Sequence, residues 1–279
     1  MKKYILPLLA LAAMAFAGCA KQEAATPKGR VVTITAALDN ATKVTTGSAI
    51  GKFAWEEGDA IGVWDGEEFI KFTLDPSTAG AVAGKFTGTV PGGKEIGFAV
   101  YPYNETDEYT EDGVYVCNFE GGNYDYKSTV HMYAPKTGNS NTYKFQHLCA
   151  YVMVTIKNLR ADCKYVFLET AGGNFFLVGG QMASLTAEYP KFEGSIGIND
   201  WGFVELPEDH SNIVLYAPVL PGEWDNKLFN VKFFQQADFA WEYGKGNLSS
   251  EPSINKTGHL QTGGYINRGD LIVLPEIVF

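Results

Sequence analysis

The sequence predicts an all-β protein with two β-sandwich domains in tandem, and three observations lead to that prediction. Apolar and polar residues alternate with a period of two in many short runs, and turn residues separate those runs. Aromatic residues make up 14% of the 279 residues, and there are 31 glycines, a mixture that favours strands joined by tight turns. No window of a dozen residues has a helical apolar stripe.

The first series of predicted strands starts after Arg30. Val32 and Ile34 alternate with Val31 and Thr33, and the alternation continues to Leu38. Turn residues such as Asp65-Gly66 and Asp112-Gly113 interrupt the series, as expected between strands. Further strands are predicted at 52–55, 60–64, 69–74, 84–90, 96–101 and 114–119.

A polar stretch at 136–142 is suited to a joint between domains, and a second series of strands follows it. We therefore expect domains at 31–137 and 138–279. Residues 181–188 are compatible with one short helical turn. The second-series strands are predicted at 143–145, 150–156, 164–169, 174–178, 191–196, 203–206, 213–217 and 228–234.

The two halves contain similar segments in the same order. VTI at 32–34 is matched by VTI at 154–156, KFTGTV at 85–90 by KFEGSI at 191–196, and YPY at 101–103 by YAP at 216–218. The conserved order favours two domains of similar topology. The alternative is that the matches do not reflect two similar domains. Phe-x-Gly before a β-branched residue is common in β-sandwiches, because an inward-facing aromatic ring and a glycine at a β-bulge recur there.

The first nineteen residues predict export. Lys2 and Lys3 precede an apolar run at 4–16 that is too short to span a bilayer, and Ala17, Gly18 and Cys19 follow it. The order resembles the lipobox of bacterial lipoproteins, which implies that 1–18 is a signal peptide and that Cys19 is acylated and attaches the chain to a membrane. The alternative is an ordinary secretory signal cut near Ala17 or Gly18. Residues 19–30 are expected to form a flexible tether.

The charge of the chain argues against nucleic acid as a partner. Removal of residues 1–18 takes away two lysines, which leaves 20 basic against 32 acidic side chains and moves the net charge from −10 to −12. A strongly acidic body disfavours binding to nucleic acid and to anionic lipid.

Motifs for catalysis, cofactors and metals are not found in the sequence. The four histidines have no ligand-like spacing, and His147 with Cys149 is a weak candidate for a base–nucleophile pair. We therefore expect no catalytic residue, no cofactor and no metal. Cys149 and Cys163 could pair if their strands are neighbours, but we favour Cys117, Cys149 and Cys163 as small buried apolar residues.

Two surface features are weaker candidates for binding. The acidic loop at 105–112 lacks the alternating ligands and central glycine of a calcium loop, so a solvated loop is favoured. Exposed tryptophans could stack on sugar rings, although most tryptophans in β-sandwiches lie in the core. The candidates are Trp64, Trp201, Trp224 and Trp241.

An ordered set of motifs resembles the fimbrillin family, the type V pilins of Bacteroidales. It begins with ITA at 34–36 and ATK at 41–43, and its most specific part is WEEGDAIGVWDG at 55–66. In this last segment Trp55 and Ile61 are predicted inward anchors. The set continues with AVYPYN at 99–104, FQHLCA at 145–150 and YAPVLPG at 216–222, so it spans almost the whole mature chain.

This resemblance implies two tandem transthyretin-like (Greek-key) β-sandwich domains, export as an outer-membrane lipoprotein, proteolytic trimming after a basic residue and assembly by strand exchange. Arg30 is the candidate processing site, with a solvated charge at a strand start as the alternative. A cut there would remove the tether and leave the first strand in place, which departs from the family pattern. The candidate donor strand contains Leu271, Val273, Ile277 and Phe279, split by Pro275. The alternative is a last strand that closes the second sandwich.

We therefore expect a structural subunit or accessory component of a cell-surface pilus, with a role in adhesion. Its expected partners are other pilin subunits, the outer membrane through the lipid anchor, and a host or bacterial surface ligand. The alternative function is that of a monomeric, surface-anchored glycan-binding or adhesive lipoprotein.

Overall fold

The computed structural model of the chain describes residues 28–38, 53–119, 124, 126–171, 179–185, 191–195, 201–208, 211–223, 227–235, 254–260 and 265–279. These residues form β-strands and two single-turn 3₁₀ segments, Pro76–Thr78 and Lys127–Thr129. Across these ranges no helix has the length and apolar character needed to cross a membrane. The all-β prediction is confirmed.

The strands follow one another along the chain as follows. The first nine are β1 (Arg30–Leu38), β2 (Ala60–Trp64), β3 (Phe69–Leu74), β4 (Ala83–Val90), β5 (Ala99–Tyr101), β6 (Glu108–Tyr109), β7 (Val114–Phe119), β8 (Met132–Ala134) and β9 (Thr142–His147). The others are β10 (Ala150–Lys157), β11 (Tyr165–Ala171), β12 (Gly179–Ser184), β13 (Lys191–Ser195), β14 (Trp201–Glu205), β15 (Asn212–Val219), β16 (Gly222–Glu223), β17 (Lys227–Phe234), β18 (Ile254–Leu260), β19 (Tyr265–Ile266), β20 (Leu271–Val273) and β21 (Ile277–Val278).

Seven strands close into a barrel in the order β1-β4-β3-β2-β5-β8-β9. β1 pairs antiparallel with β4 from Arg30 opposite Val90 to Ala37 opposite Ala83, and it pairs parallel with β9 only from Thr35 to Leu38. The sequence did not predict this closure, because alternation with a period of two is the same in a barrel and in a sandwich.

The barrel core is built around Trp55. Its indole meets the rings of Phe86, Tyr101 and Phe145 edge-on, with centroid separations of 4.9, 5.3 and 5.6 Å. The indole Nε1 donates to the carbonyl oxygen of Ala36 at 2.9 Å, so the one polar atom of this buried ring has a partner. Trp55 and Ile61 are both fully buried, as predicted for inward anchors. The strand predicted at 52–55 is wrong over 53–55, because those described residues belong to no sheet ladder.

A second core lies beyond the barrel, and β10 contributes to both. Val152 and Val154 on one face of β10 pack in the second core, whereas Tyr151 and Met153 on the other face pack with the barrel residues. This arrangement follows from the alternation of side chains along a strand. β10 pairs antiparallel with β15 and parallel with β20 and β21. A separate sheet has the strand order β14-β11-β17-β18.

One sheet joins the two halves of the sequence. β12 pairs with β7 from Gly179 opposite Phe119 to Ser184 opposite Val114, in a sheet ordered β13-β12-β7-β6. The helical turn predicted at 181–188 is therefore wrong over 181–184. Pairing with β7 outweighs the local preference of Gln181, Met182 and Ala183 for a helix.

The sequence similarity between the halves does not extend to strand pairing. β1 pairs with β4, but their counterparts β10 and β13 do not pair with each other, since β13 pairs with β12. β9, which follows the expected domain joint, closes the barrel of the first half. The fold class is therefore all-β with several sheets and one seven-stranded barrel.

Candidate functional site

The residues that the sequence singled out for processing lie at the start of the described chain. Cys19 and the signal peptide lie outside the described residues. Arg30 begins β1 with its side chain 54% exposed, and its guanidinium lies 3.5 Å from the carboxylate of Glu95. The same guanidinium donates to the carbonyl oxygen of Lys94 at 3.3 Å. Surface ion pairs of this kind contribute at most about 1 kcal/mol. The backbone of Arg30 pairs with Val90 in the ladder with β4.

The first half of β1 has a sheet neighbour on one side only among the described strands. The ladder with β4 covers this half, whereas the ladder with β9 begins at Thr35, whose N–H donates to Asn141 at 2.8 Å. A groove of about 390 Å³ lies beside this open edge. Its lining includes Val31, which is 74% exposed, and Ile96 and Lys136 from neighbouring loops.

The candidate donor residues lie on β20 and β21 and pair with β10 of their own chain. Leu271 and Val273 on β20 pair with Tyr151 and Met153. Ile277 on β21 pairs with Ile156, and the N–H of Phe279 donates to Lys157 at 3.1 Å.

Burial divides this C-terminal segment into two parts. Leu271 is 2% exposed and Leu274 is 7% exposed, so the first part is fixed in the core. Ile277 and Phe279 are half-buried and Val278 is 52% exposed. The second part is therefore held by two ladder pairs and by partial packing, which includes the Phe279 ring at 4.8 Å from Phe233.

The cysteines are buried and inert. Cys117, Cys149 and Cys163 are free thiols, as favoured for small buried apolar residues. Burial raises the pKa of Cys149 to about 12, so the thiolate needed for nucleophilic attack is not formed at neutral pH. Burial also lowers the pKa of His147 to about 4, and its Nδ1 lies 2.8 Å from the hydroxyl of Tyr151. His147 therefore does not form an activated pair with Cys149.

The acidic loop and Trp64 meet at a second surface feature, a cleft of about 340 Å³. Its aromatic walls are Trp64, Phe69, Tyr103 and Tyr109. Trp64 also stacks on Phe98 with the ring planes 16° apart, so one of its faces is already covered. The sequence missed this cleft because its walls come from the β2–β3 turn and from residues 103–110. The side chain of Trp201 is not described, and Trp224 and Trp241 lie outside the described residues.

Asp107 is the partly buried carboxylate of this cleft. Burial raises its pKa to about 6, although the hydroxyl of Tyr115 donates to its Oδ2 at 2.5 Å and opposes that rise. The other carboxylates of the lining, Glu67, Glu68, Glu105 and Glu108, are exposed. Within the described ranges, no three or more His, Cys, Asp or Glu side chains are grouped so that they could hold a metal ion.

Comparison with known proteins finds no matching family model and no matching curated protein. Among solved structures, the chain is similar to a candidate cell adhesion protein from Bacteroides uniformis, with 16% identity, a TM-score of 0.43 and coverage of 88% of this chain and 93% of that one. It is also similar to a candidate cell adhesion protein from Bacteroides ovatus, with 14% identity, a TM-score of 0.46 and coverage of 86% and 89%. A fimbrial protein from Bacteroides ovatus has 13% identity, a TM-score of 0.32 and coverage of 91% of this chain and 50% of that one.

Proposed function

We propose that this chain is a structural subunit or accessory component of a cell-surface pilus, assembled by β-strand exchange and with a role in adhesion. It reaches the outer membrane as a lipoprotein acylated at Cys19 and is released from the tether by a cut after Arg30. It acts without catalytic residues or a cofactor, through contacts with other pilin subunits and a surface ligand.

The proposal rests on how the C-terminal segment pairs and packs within its own chain. β20 is anchored by buried Leu271, whereas β21 makes two ladder pairs and has an exposed valine. A short, lightly held edge strand can leave its own chain and add to a neighbour, because the backbone hydrogen bonds lost in one place are made again in the other. Pro275 lies between the two parts, where no ladder N–H is needed.

We also propose that the mature chain consists of two β-sandwich units related to the transthyretin fold, divided near 137/138. Two separate buried clusters of apolar residues support two units. The boundary stays a prediction, and β9 at 142–147 lies in the barrel of the first unit.

An arginine-specific protease tests the proposal on the delipidated chain. We expect a discrete N-terminal cut after Arg30, followed by concentration-dependent ladders of multiples that resist mild heating. The Arg30→Gln variant keeps the tether and is the matched control. A trimmed chain that stays monomeric at every concentration contradicts the proposal.

The second candidate function is a monomeric, lipid-anchored glycan-binding or adhesive protein, and the aromatic cleft at Trp64 and Tyr103 favours it. Aromatic rings beside carboxylate and amide groups suit the apolar faces and hydroxyls of a neutral sugar. Affinity electrophoresis in polysaccharide gels separates the two functions. Retardation that is lost in Tyr103→Ala, together with a monomeric mass after trimming, favours the binder.

A further inference from the structure

We propose that the aromatic cleft beside Trp64 binds the lysine side chains of a basic peptide segment on a partner protein. The inference goes beyond the proposed function, because it assigns a partner chemistry to a surface that strand exchange does not use. None of the described residues of β1, β20 and β21 lines this cleft. The inference therefore does not depend on how subunits assemble.

The cleft combines apolar walls with charges of one sign. Its four aromatic side chains are half-buried, so each is partly packed and partly available to an occupant. Among the described residues that line it, there is no lysine, arginine or histidine. The carboxylates of the lining are those of Glu67, Glu68, Glu105, Asp107 and Glu108. A positively charged occupant is therefore favoured over a neutral or an anionic one.

Most of these carboxylates lack a cationic partner within the chain. Glu67 pairs with Lys94, whose side chain does not line the cleft. The other four carboxylates of the lining form no ion pair within the described part of the chain. Like charges around one concave, partly apolar site add to a single negative potential, which attracts cations.

The aromatic walls also suit a cation. The face of an aromatic ring is the negative end of its quadrupole, and it attracts an ammonium group within about 6 Å of the ring centroid. Within this chain, the ammonium of Lys71 lies 5.5 Å from the ring centroid of Tyr103. Trp64, the most favourable ring type for this contact, has one face against Phe98 and also lines the cleft. The walls and the carboxylates thus favour the same kind of charge.

Hydrogen bonds of the folded chain hold the acidic groups in place. Asp65 Oδ1 accepts from the N–H groups of Glu67 and Glu68 at 2.8 and 2.9 Å, which fixes the turn that carries both glutamates. The hydroxyl of Tyr115 donates to Oδ2 of Asp107, and Oδ1 of Asp107 has no donor among the described residues. Because the cleft is formed before an occupant arrives, binding requires little rearrangement.

A lysine side chain matches this combination of groups. Its four-carbon stem packs on aromatic rings, and its ammonium offers three donors to carboxylates. A metal ion gains nothing from the apolar walls, and the carboxylates of the described chain are not grouped to hold one. A neutral sugar stacks on the rings but leaves four carboxylates without a counter-charge. An amino sugar carries its ammonium directly on the ring, whereas lysine carries it at the end of a stem that reaches between the walls.

Binding of a trilysine peptide, labelled at its N-terminus, to the delipidated chain tests the proposal. Fluorescence anisotropy gives the affinity. The matched ligand has an acetyl group on each lysine Nε, which keeps the stems and removes the charge. We expect the acetylated peptide to bind at least about tenfold more weakly. Equal affinities would show that the ammonium groups are not recognised and would overturn the proposal.

A triple glutamine variant places the binding site. Glu68→Gln, Glu105→Gln and Glu108→Gln in one chain remove three unpaired charges of the cleft. We expect the dissociation constant of the trilysine peptide to rise by about tenfold or more. Thermal unfolding checks that the variant is folded.

The matched control makes the same change of net charge outside the cleft. It carries Glu57→Gln, Glu208→Gln and Glu223→Gln, all at exposed glutamates that do not line the cleft. We expect this control to lose less than about twofold in affinity, because screening by salt weakens distant charges. Equal losses in the two triple variants would mean that only the net charge of the chain is read, and the cleft would be wrong.

Tyr103→Leu tests the aromatic contribution. Leucine keeps an apolar side chain and removes the ring quadrupole, so we expect the trilysine peptide to bind about fivefold more weakly. An unchanged affinity would contradict recognition of the ammonium by the walls of the cleft.

Sugar ligands separate this inference from the second candidate function. A glucosamine trimer carries ammonium groups, whereas an N-acetylglucosamine trimer is neutral, and we expect both to bind at least about tenfold more weakly than the peptide. An amino sugar that binds as tightly as the peptide would show that the peptide partner is wrong. Binding of the neutral sugar alone would favour the second candidate function and overturn this inference. Neither result bears on strand exchange, which the trimming experiment measures separately.

Discussion

Gly88 shows why one position of the repeated Phe-x-Gly motif requires glycine. A Cβ at this position would overlap the ring of Phe72, which is fully buried in the barrel. Glycine at this position therefore leaves room for the ring of Phe72 on β3. Gly88 does not lie at a β-bulge, because the ladder of β1 with β4 runs through it without a register shift.

Gly88→Ala should lower the free energy of unfolding by about 1–3 kcal/mol, because the new methyl forces Phe72 out of position. Urea denaturation measures the change. Phe72→Leu makes room for the methyl, so the double variant should lose less than the sum of the two single losses. Additive losses would show that the two residues do not compete for the same space.

Two buried histidines make the fold sensitive to acid. Burial lowers the pKa of His131 and of His147 to about 4, and the ring of His131 packs 3.9 Å from that of Phe119. Both are neutral in the folded state, whereas in the unfolded chain they take up a proton near pH 6.5. The contribution of the two neutral histidines to the stability of the fold is therefore complete above pH 6.5 and is lost as the pH falls toward 4.

For each histidine, we expect the free energy of unfolding to fall by about 3 kcal/mol as the pH is lowered from 6.5 to 4. Asp107 acts in the opposite direction, because its raised pKa of about 6 favours the folded state as the pH falls from 6 to 3.8. Urea denaturation at several pH values gives the net slope. His147→Gln should remove most of this net slope, because the remaining histidine and Asp107 then offset each other, and an unchanged slope would exclude His147 as a source.

At the scale of elements, β20 anchors the C-terminal segment, and in the proposed assembly β21 is the part that leaves its own chain. Leu271→Ala should destabilise the monomer by about 2–5 kcal/mol, because it leaves a cavity in the core. Val278→Ala should change stability by at most about 0.5 kcal/mol, because the side chain is 52% exposed. Equal losses in urea denaturation would contradict the division between anchor and donor.

The sequence predicted the strands whose alternation is regular and whose ends are marked by turn residues. β2 and β3 occur at the predicted residues, and β7 does too. β6 and β8 contain two and three residues, too few for a period to be recognised. β12 was missed because its strand form depends on pairing with β7, which lies about 65 residues away in sequence.

The candidate sites show the same limit. Arg30 and the proline-split C-terminal segment are local features, so the sequence could identify them. The open half of β1 exists because β9 begins pairing at Thr35, and this register depends on contacts more than 100 residues apart. The cleft beside Trp64 likewise depends on two loops that meet only after folding.

At the scale of the molecule, β10 connects the two cores, since its opposite faces pack in different clusters. The C-terminal segment lies on the edge of this same strand, and the open part of β1 lies on the barrel. Among the described strands, the molecule thus has a lightly held C-terminal edge beside β10 and a separate open edge on β1. In our account, its role at the cell surface depends on these edges.

Hydrogen–deuterium exchange of trimmed monomer and polymer, resolved to single amides, tests this account most directly. The amide of Thr33 should exchange quickly in the monomer and become protected in the polymer, together with residues 277–279. The amides of Val32 and Ile34, which face β4, should be protected in both states. Protection confined to the cleft at 64–69 and 103–110, or none at β1, would contradict assembly through open sheet edges.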